Sequence, residues 1–399
     1  MARLILLFLF FPAVIFAQNI TVSGKVSAAD TKARLGRASV FLSNSSFGTS
    51  TAPDGTFTLN GLKPGQYNLV VTTVGYEDHT ETILLANDPV KLNIELSPRA
   101  VQLKEVNIST LTKADLKMAL EQFKQEFIGE DDNARDCKIM NPEVLNFSFH
   151  QNKNVLEAYN NDFLIVENHA LGYRIKFLLK NFKSERLTGR VVYTGQRFFE
   201  ELPGKEAQKK KWIKNRDDAY YGSAMHFYRA LYTDSLASAG FRIYRLTRIL
   251  NPNRPSEEVI QQHLDKAKEL QADSFLYWTN MKRASRYSRQ ILGKDQLAVK
   301  DILRRTNQPG LFAIMFPDYL YVIYTKKWEA NYFKDLYRAP DNLNYATTII
   351  SFVNNNQGAL FDRNGTVIGD SPLYEGSWAN ARLSEMIPVD YTPGAPPNR

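Results

Sequence analysis

Polar and apolar residues alternate with a period of two through the first quarter of the chain. Ile20, Val22 and Val26 share one side of an extended run, with Thr21, Ser23 and Lys25 between them, the pattern of a strand with one buried face. A second run covers residues 38–42. Pro53, Asp54 and Gly55 supply turn chemistry, after which Phe57 and Leu59 point the same way. Lys63, Pro64 and Gly65 make a further turn, followed by Tyr67, Leu69 and Val71 in alternation and an end at Gly75 and Tyr76. Runs at 83–85 and 90–96 complete the series. Short strands at regular spacing with turn signals between them predict an all-β sandwich over residues 18–98.

The period changes at residue 110. Thr112 and Asp115 approximate a helix-start box, and Leu116, Leu120, Phe123 and Phe127 recur at helical spacing before Gly129 and the acidic residues 130–132. Strand-like runs follow at 144–150, 155–159, 163–166, 173–182 and 190–193. One helix is predicted over 219–231. Another is predicted over 256–270, with Ser256 as cap. Strands return at 311–324, interrupted by Pro317 and Asp318, and at 347–353. Asn364 and Gly365 read as a tight turn joining 359–361 to 366–368. The expectation is an α+β domain with a mainly antiparallel sheet over 112–392. It is preceded by a linker strand at 99–111 and followed by a Pro-rich disordered tail at 393–399.

Several of these positions together resemble the carboxypeptidase-regulatory-like domain: Val22, Gly24 and Val26; Leu35, Gly36, Ala38 and Val40; Gly48, Thr49, Thr51, Asp54, Gly55, Phe57 and Leu59; and Gly65, Tyr67, Leu69, Gly75, Tyr76 and Glu77. The resemblance covers about a fifth of the chain. It implies a transthyretin-like sandwich of about seven strands. In Bacteroidota such domains stand in the periplasm, often ahead of TonB-dependent outer-membrane transporters. Residues 103–108 resemble the extended segment that follows the domain in those transporters, and also read as a plain linker strand. The remainder shows no succession of alternating strands that would close a membrane barrel. Residues 139–142, 167–173, 220–223 and 226–231 resemble exported Bacteroidota proteins with the same leading sandwich. That resemblance implies an architecture and a compartment, not a mechanism.

The N-terminus bears on compartment. Arg3, an apolar run at 4–16 and Ala17 make a secretory signal peptide over 1–17. The run is short for a membrane span, and no later run is long enough. The protein is therefore expected to be exported, in the periplasm, associated with the outer membrane or secreted. A net charge of +8 favours anionic partners, and export removes nucleic acid from among them. The single cysteine, Cys137, has no internal disulfide partner.

Candidate chemistry is sparse. The family name invites a zinc peptidase, but none of His79, His150, His169, His226 and His263 has Glu three positions on, and no paired-histidine zinc motif occurs. No metal or other cofactor is expected. Asp30, Asp54 and Asp132 lack the oxygen spacing of a calcium loop. Ser223 and His226 lie on one helix face and could pair as nucleophile and base if Asp217 or Asp218 oriented the imidazole; equally, they could be a packing residue and a core histidine. Cys137, between Arg135 and Lys138, could be an activated thiol or a small buried hydrophobe.

The most suggestive surface is Lys209, Lys210, Lys211, Trp212 and Lys214, followed by Tyr220 and Tyr221. Cations beside aromatics can hold an anionic glycan or a lipid head group. The same run also reads as a solvated helix face with its indole turned inward. The leading expectation is a non-catalytic envelope binding or scaffold protein, with the sandwich docked on a protein or glycan. Two others stand beside it: an envelope hydrolase working through carboxylates that meet only in the fold, and an accessory subunit of a TonB-dependent transporter.

Overall fold

A computed structural model describes residues 20–86, 88–99, 111–150, 154–270, 274–308, 310–328, 344–352, 358–369 and 371–395. Residues 1–17, where a signal peptide is expected, and residues 101–108 lie outside the described residues.

Seven strands build the first unit: β1 (Ile20–Ala28), β2 (Ser39–Leu42), β3 (Gly48–Ser50), β4 (Thr56–Leu62), β5 (Gly65–Thr72), β6 (His79–Leu85) and β7 (Val90–Leu96). They form two sheets, ordered β4-β1-β7 and β3-β2-β5-β6. The β1–β7 pair is parallel and the others are antiparallel. The alternating residues meet between the sheets. Val22, Val26, Val40, Leu42, Leu59, Leu69 and Val71 are all buried in one cluster. The predicted sandwich is present, and its period-two pattern is what buries it.

The α+β region follows in antiparallel sheets. Helix Lys113–Phe123 begins at the predicted box: Thr112 and Asp115 cap each other reciprocally. It runs into a π-turn over Lys124–Ile128 and lays Phe123 and Phe127 on Phe177 and Phe182. A six-stranded sheet is organised around the long hairpin of Tyr173–Glu185 and Arg190–Glu201. A five-stranded sheet carries Phe241–Leu250, Tyr287–Gln296 and Tyr319–Trp328. The hairpin predicted at Asn364 and Gly365 joins strands Gly358–Asp362 and Val367–Ile368.

The helix expected over 219–231 is two helices. Glu206–Tyr220 ends at Gly222, whose φ of 86° leaves helical space, and Ala224–Tyr232 starts at Ser223. The Pro-rich end, expected to be disordered from Pro393, is held at Gly394, whose N–H meets Asp217 at 2.9 Å and whose carbonyl accepts from the Tyr221 hydroxyl at 2.5 Å.

The sandwich does not hang free. The outer face of sheet β3-β2-β5-β6 presents Phe41 and Val70 to Leu178, Phe163 and Phe198, closing a small apolar seam. Around it, Asn44 N–H donates to the Arg197 carbonyl at 2.7 Å and Phe199 N–H to the Ser45 carbonyl at 3.0 Å. Asp390 accepts from the N–H of Ser46 at 2.8 Å. Lys180 reaches the nearly buried carboxylate of Asp78 at 2.5 Å.

Candidate functional site

Helix Glu206–Tyr220 separates the two halves of the basic-aromatic run. Lys209, Lys210, Lys211 and Lys214 face solvent. Trp212 is 3% exposed and packs against the backbone of Gly172 and Gly204, with its indole N–H donating to the His169 carbonyl at 2.8 Å. Tyr220 is buried and Tyr221 half-buried beside His226. Of the two readings of this run, the stacking platform is not formed and the solvated face with its indole turned inward describes it: with one helical face inward, the lysines and the aromatic residues point to opposite sides.

The same face buries the last cation of the basic run. Arg216 is 5% exposed. It donates to the carbonyls of Leu171 and Gly172, pairs with Glu201 at 2.6 Å and lies 3.8 Å from the centre of the Tyr173 ring. Its position four residues after Trp212 was the available signal, since that spacing puts both on one side of a helix.

Ser223 and His226 do not form a nucleophile and base. The Ser223 hydroxyl accepts from the backbone N–H of His226, as a helix cap does. The His226 Nδ1 accepts from the N–H of Gly222 at 3.2 Å. Rings of Tyr220, Tyr221, Phe241 and Tyr324 surround the imidazole. Burial, with Lys326 and Arg229 nearby, lowers its pKa to about 4. Asp217 is engaged by Tyr391 and Gly394 instead.

Cys137 is the opposite of an activated thiol. Burial, then the charges of Asp131, Asp136 and Glu385, push it up to about 12. Arg135, its expected activator, is paired with Asp132. Asp54 caps its own turn through Thr56. Among the described residues, no group of three or more His, Cys, Asp or Glu side chains could hold a metal ion, and no helix is long and apolar enough to cross a membrane.

Two recesses bear on the hydrolase reading. One, of about 340 Å³, lies among Asp234, Leu236, Phe241, Ile243, Gln296 and Val299. The other, of about 30 Å³, holds Asp362. Neither brings two carboxylates together, so the hydrolase reading gains no site from them.

What does project from the molecule is an arm inserted between strands Phe241–Leu250 and Tyr287–Gln296. Its two helices are Glu257–Glu269 and Ser274–Arg283. Ile260, Leu264 and Ala267 are buried, and His263 stacks on Trp278 at 4.1 Å. Arg254 clamps the base, bonding Glu257 at 2.7 Å and the Ala284 carbonyl at 2.9 Å, while Arg286 adds a second hold on Glu257. Large apolar side chains are left bare towards the tip: Leu270 at 67%, Phe275 at 44%, Leu276 at 66% and Tyr277 at 55% exposed. The sequence signal was the run of four large hydrophobic residues at 275–278, which one side of a helix cannot bury together.

A two-sheet sandwich packed on a separate α+β region defines the class. Residues 22–108 match the family model of the CarboxypepD_reg-like domain, so the first unit carries that domain. Solved structures with local likeness include the pilus 2b backbone protein of group B streptococcus, at 23% identity over 20% of this chain and 41% of that one, with a TM-score of 0.18. The match thus spans less than half of the pilus protein. A DUF3823 family protein from Parabacteroides merdae is 13% identical over 47% of this chain and 83% of its own, with a TM-score of 0.18. A Cohesin-X-Dockerin complex from Acetivibrio cellulolyticus gives 16% over 25% and 72%, with a TM-score of 0.19. No curated protein matches the chain.

Proposed function

We propose that the chain is a non-catalytic binding or scaffold protein of the cell envelope, and that it grips a protein partner through the α-helical arm. The observation that carries this reading is the bare apolar tip formed by Leu270, Phe275, Leu276 and Tyr277. Large apolar side chains left exposed near the end of a projecting element mark an interaction site. Two of the four side chains are leucines, which suit a protein pocket better than a sugar ring. The arm's base is rigidly clamped, so its tip is presented without a large ordering cost. One face of the sandwich is already occupied within the chain, which leaves the arm as the better docking element. Export is supported by Arg3 and the apolar run at 4–16.

The test places a photo-crosslinking residue at position 276 of the full chain in its native host, with position 210 as control. One dominant protein captured from 276, and lost on Phe275→Ser, is the expected result. Equal capture from both positions, or none from 276, overturns the reading; enrichment of glycan alone at 276 would replace the protein partner by a sugar.

A further inference from the structure

Strand Arg190–Glu201 turns Tyr193 and Phe199 towards the core beneath helix Lys113–Phe123. Arg197 has the same parity along the strand and so shares that face. Between Tyr193 and Arg197 the face carries only Gly195, where a Cβ would stand 2.6 Å from the ring of Phe177. The ring therefore lies over the glycine, and its two neighbours flank it. The Tyr193 ring centre is 6.4 Å from that of Phe177, and the guanidinium carbon of Arg197 is 5.9 Å from it.

The Arg197 guanidinium is half-buried, and no carboxylate or carbonyl among the described residues accepts from it. Arg216, Arg248 and Arg254 are also covered by the fold, and each holds a carboxylate within 2.7 Å. Burial lowers the Arg197 pKa, opposed by the Tyr193 hydroxyl and by no carboxylate among the described residues. A covered charge normally has a partner.

Two further donors stand beside it with nothing bound. The Tyr193 hydroxyl has no hydrogen bond among the described residues, and the charges of both Arg197 and Arg382 act on it. Arg382 arrives at the turn of Gly129, where a Cβ on the glycine would stand 3.2 Å from the Cβ of Arg382. That turn follows Phe127, whose ring is 5.1 Å from the Tyr193 ring. Arg382 is half-buried and has no ion pair among the described residues. Asp131, the acid beside the same turn, is taken by the Ser384 hydroxyl and the N–H of Ala134.

We propose that Arg197, Arg382 and the Tyr193 hydroxyl form a binding site for a phosphate group. Two cations without a carboxylate between them match a dianion. A guanidinium fork binds two of its oxygens at once, and the phenol donates to a third. The Phe177 ring fixes the stem of Arg197, so the fork is presented with little loss of side-chain freedom. This site is independent of the arm.

The test titrates the purified full chain by calorimetry with inorganic phosphate and, separately, with glycerol 1-phosphate. Sodium chloride at equal ionic strength is the control. The expected result is a saturable heat with a phosphate and none with chloride. Arg197→Gln should weaken the phosphate affinity at least tenfold. Arg197→Lys, which keeps the charge and loses the fork, should weaken it by a smaller factor. Binding of both phosphates assigns the site to a phosphate ester on a larger molecule, and binding of inorganic phosphate alone assigns it to the free ion. No saturable heat with either phosphate overturns the proposal, as does an unchanged titration in Arg197→Gln. Should Arg197→Gln fail to fold, Arg382→Gln decides: an unchanged titration in that variant overturns the site.

Discussion

The ring of Phe198 lies so close over Gly48 that a Cβ placed on the glycine would stand 2.5 Å from it. The contact crosses between the two units of the chain: Gly48 begins β3 of the sandwich, and Phe198 belongs to the long hairpin. It makes the seam a packed interior, where close approach of backbone to ring requires the residue without a side chain.

Substitution at either side should therefore loosen the whole molecule. Phe198→Ala is expected to lower stability by about 1–3 kcal/mol, less than a fully buried phenylalanine because Phe198 is only half-buried. Gly48→Val should do the same by overpacking, at about 1–3 kcal/mol. Urea unfolding followed by tryptophan fluorescence reads both. All four tryptophans lie outside the sandwich; an unchanged midpoint in both variants would mean that the seam contributes nothing.

Helix Glu206–Tyr220 gives a contrast within a few residues. Trp212→Phe removes the part-buried bond to the His169 carbonyl, at a cost of about 0.5–1.5 kcal/mol. Replacing Lys209, Lys210 and Lys211 by Gln, one at a time, should change stability by no more than roughly 0.5 kcal/mol in each case, the usual limit for an exposed position. Chemical denaturation of these variants side by side checks the prediction, and a larger loss in a lysine variant would contradict it.

His226 makes stability depend on pH. Its folded pKa of about 4 lies below the ordinary 6.5, so the unfolded chain binds a proton that the folded chain refuses. The neutral imidazole's contribution is fully present above pH 6.5 and falls away as pH drops towards 4, at a total of roughly 3 kcal/mol. In His226→Phe that component should be missing. The difference between the wild-type and variant stability curves should shrink steadily from pH 7 to pH 4; parallel curves would refute the assignment.

The thiol of Cys137, pushed up to about 12, should resist alkylation by iodoacetamide at pH 8 in the folded protein and react fully in urea. Mass spectrometry after timed quenching distinguishes the two. Rapid labelling of the native chain would show that the thiolate is accessible after all.

The sandwich was legible because each strand has one wet and one dry face, so alternation and turn residues carried the information. Helix Lys113–Phe123 was legible through its reciprocal cap. Strands Phe241–Leu250 and Tyr287–Gln296 were not. They bear Arg242, Arg245, Arg248 and Arg289, and the five-stranded sheet settles Arg248 by pairing it with Glu375 at 2.7 Å between the rings of Tyr287 and Tyr319. That partner stands more than a hundred positions away, and no local pattern announces it. The lysines and Trp212 read two ways, as a platform or as a solvated face, because adjacency in sequence is not adjacency on a helix.

The two stems of the arm meet at its root, where the N–H of Asn251 donates to the carbonyl of Arg286 at 3.0 Å. Everything from 252 to 285 is thus enclosed by a gap that a tight turn could bridge. The five-stranded sheet would close over its absence without rerouting a strand. The arm is in that sense a cassette: its length and tip can be exchanged while the rest of the molecule keeps its shape, so the surface it presents can diversify without risk to the fold.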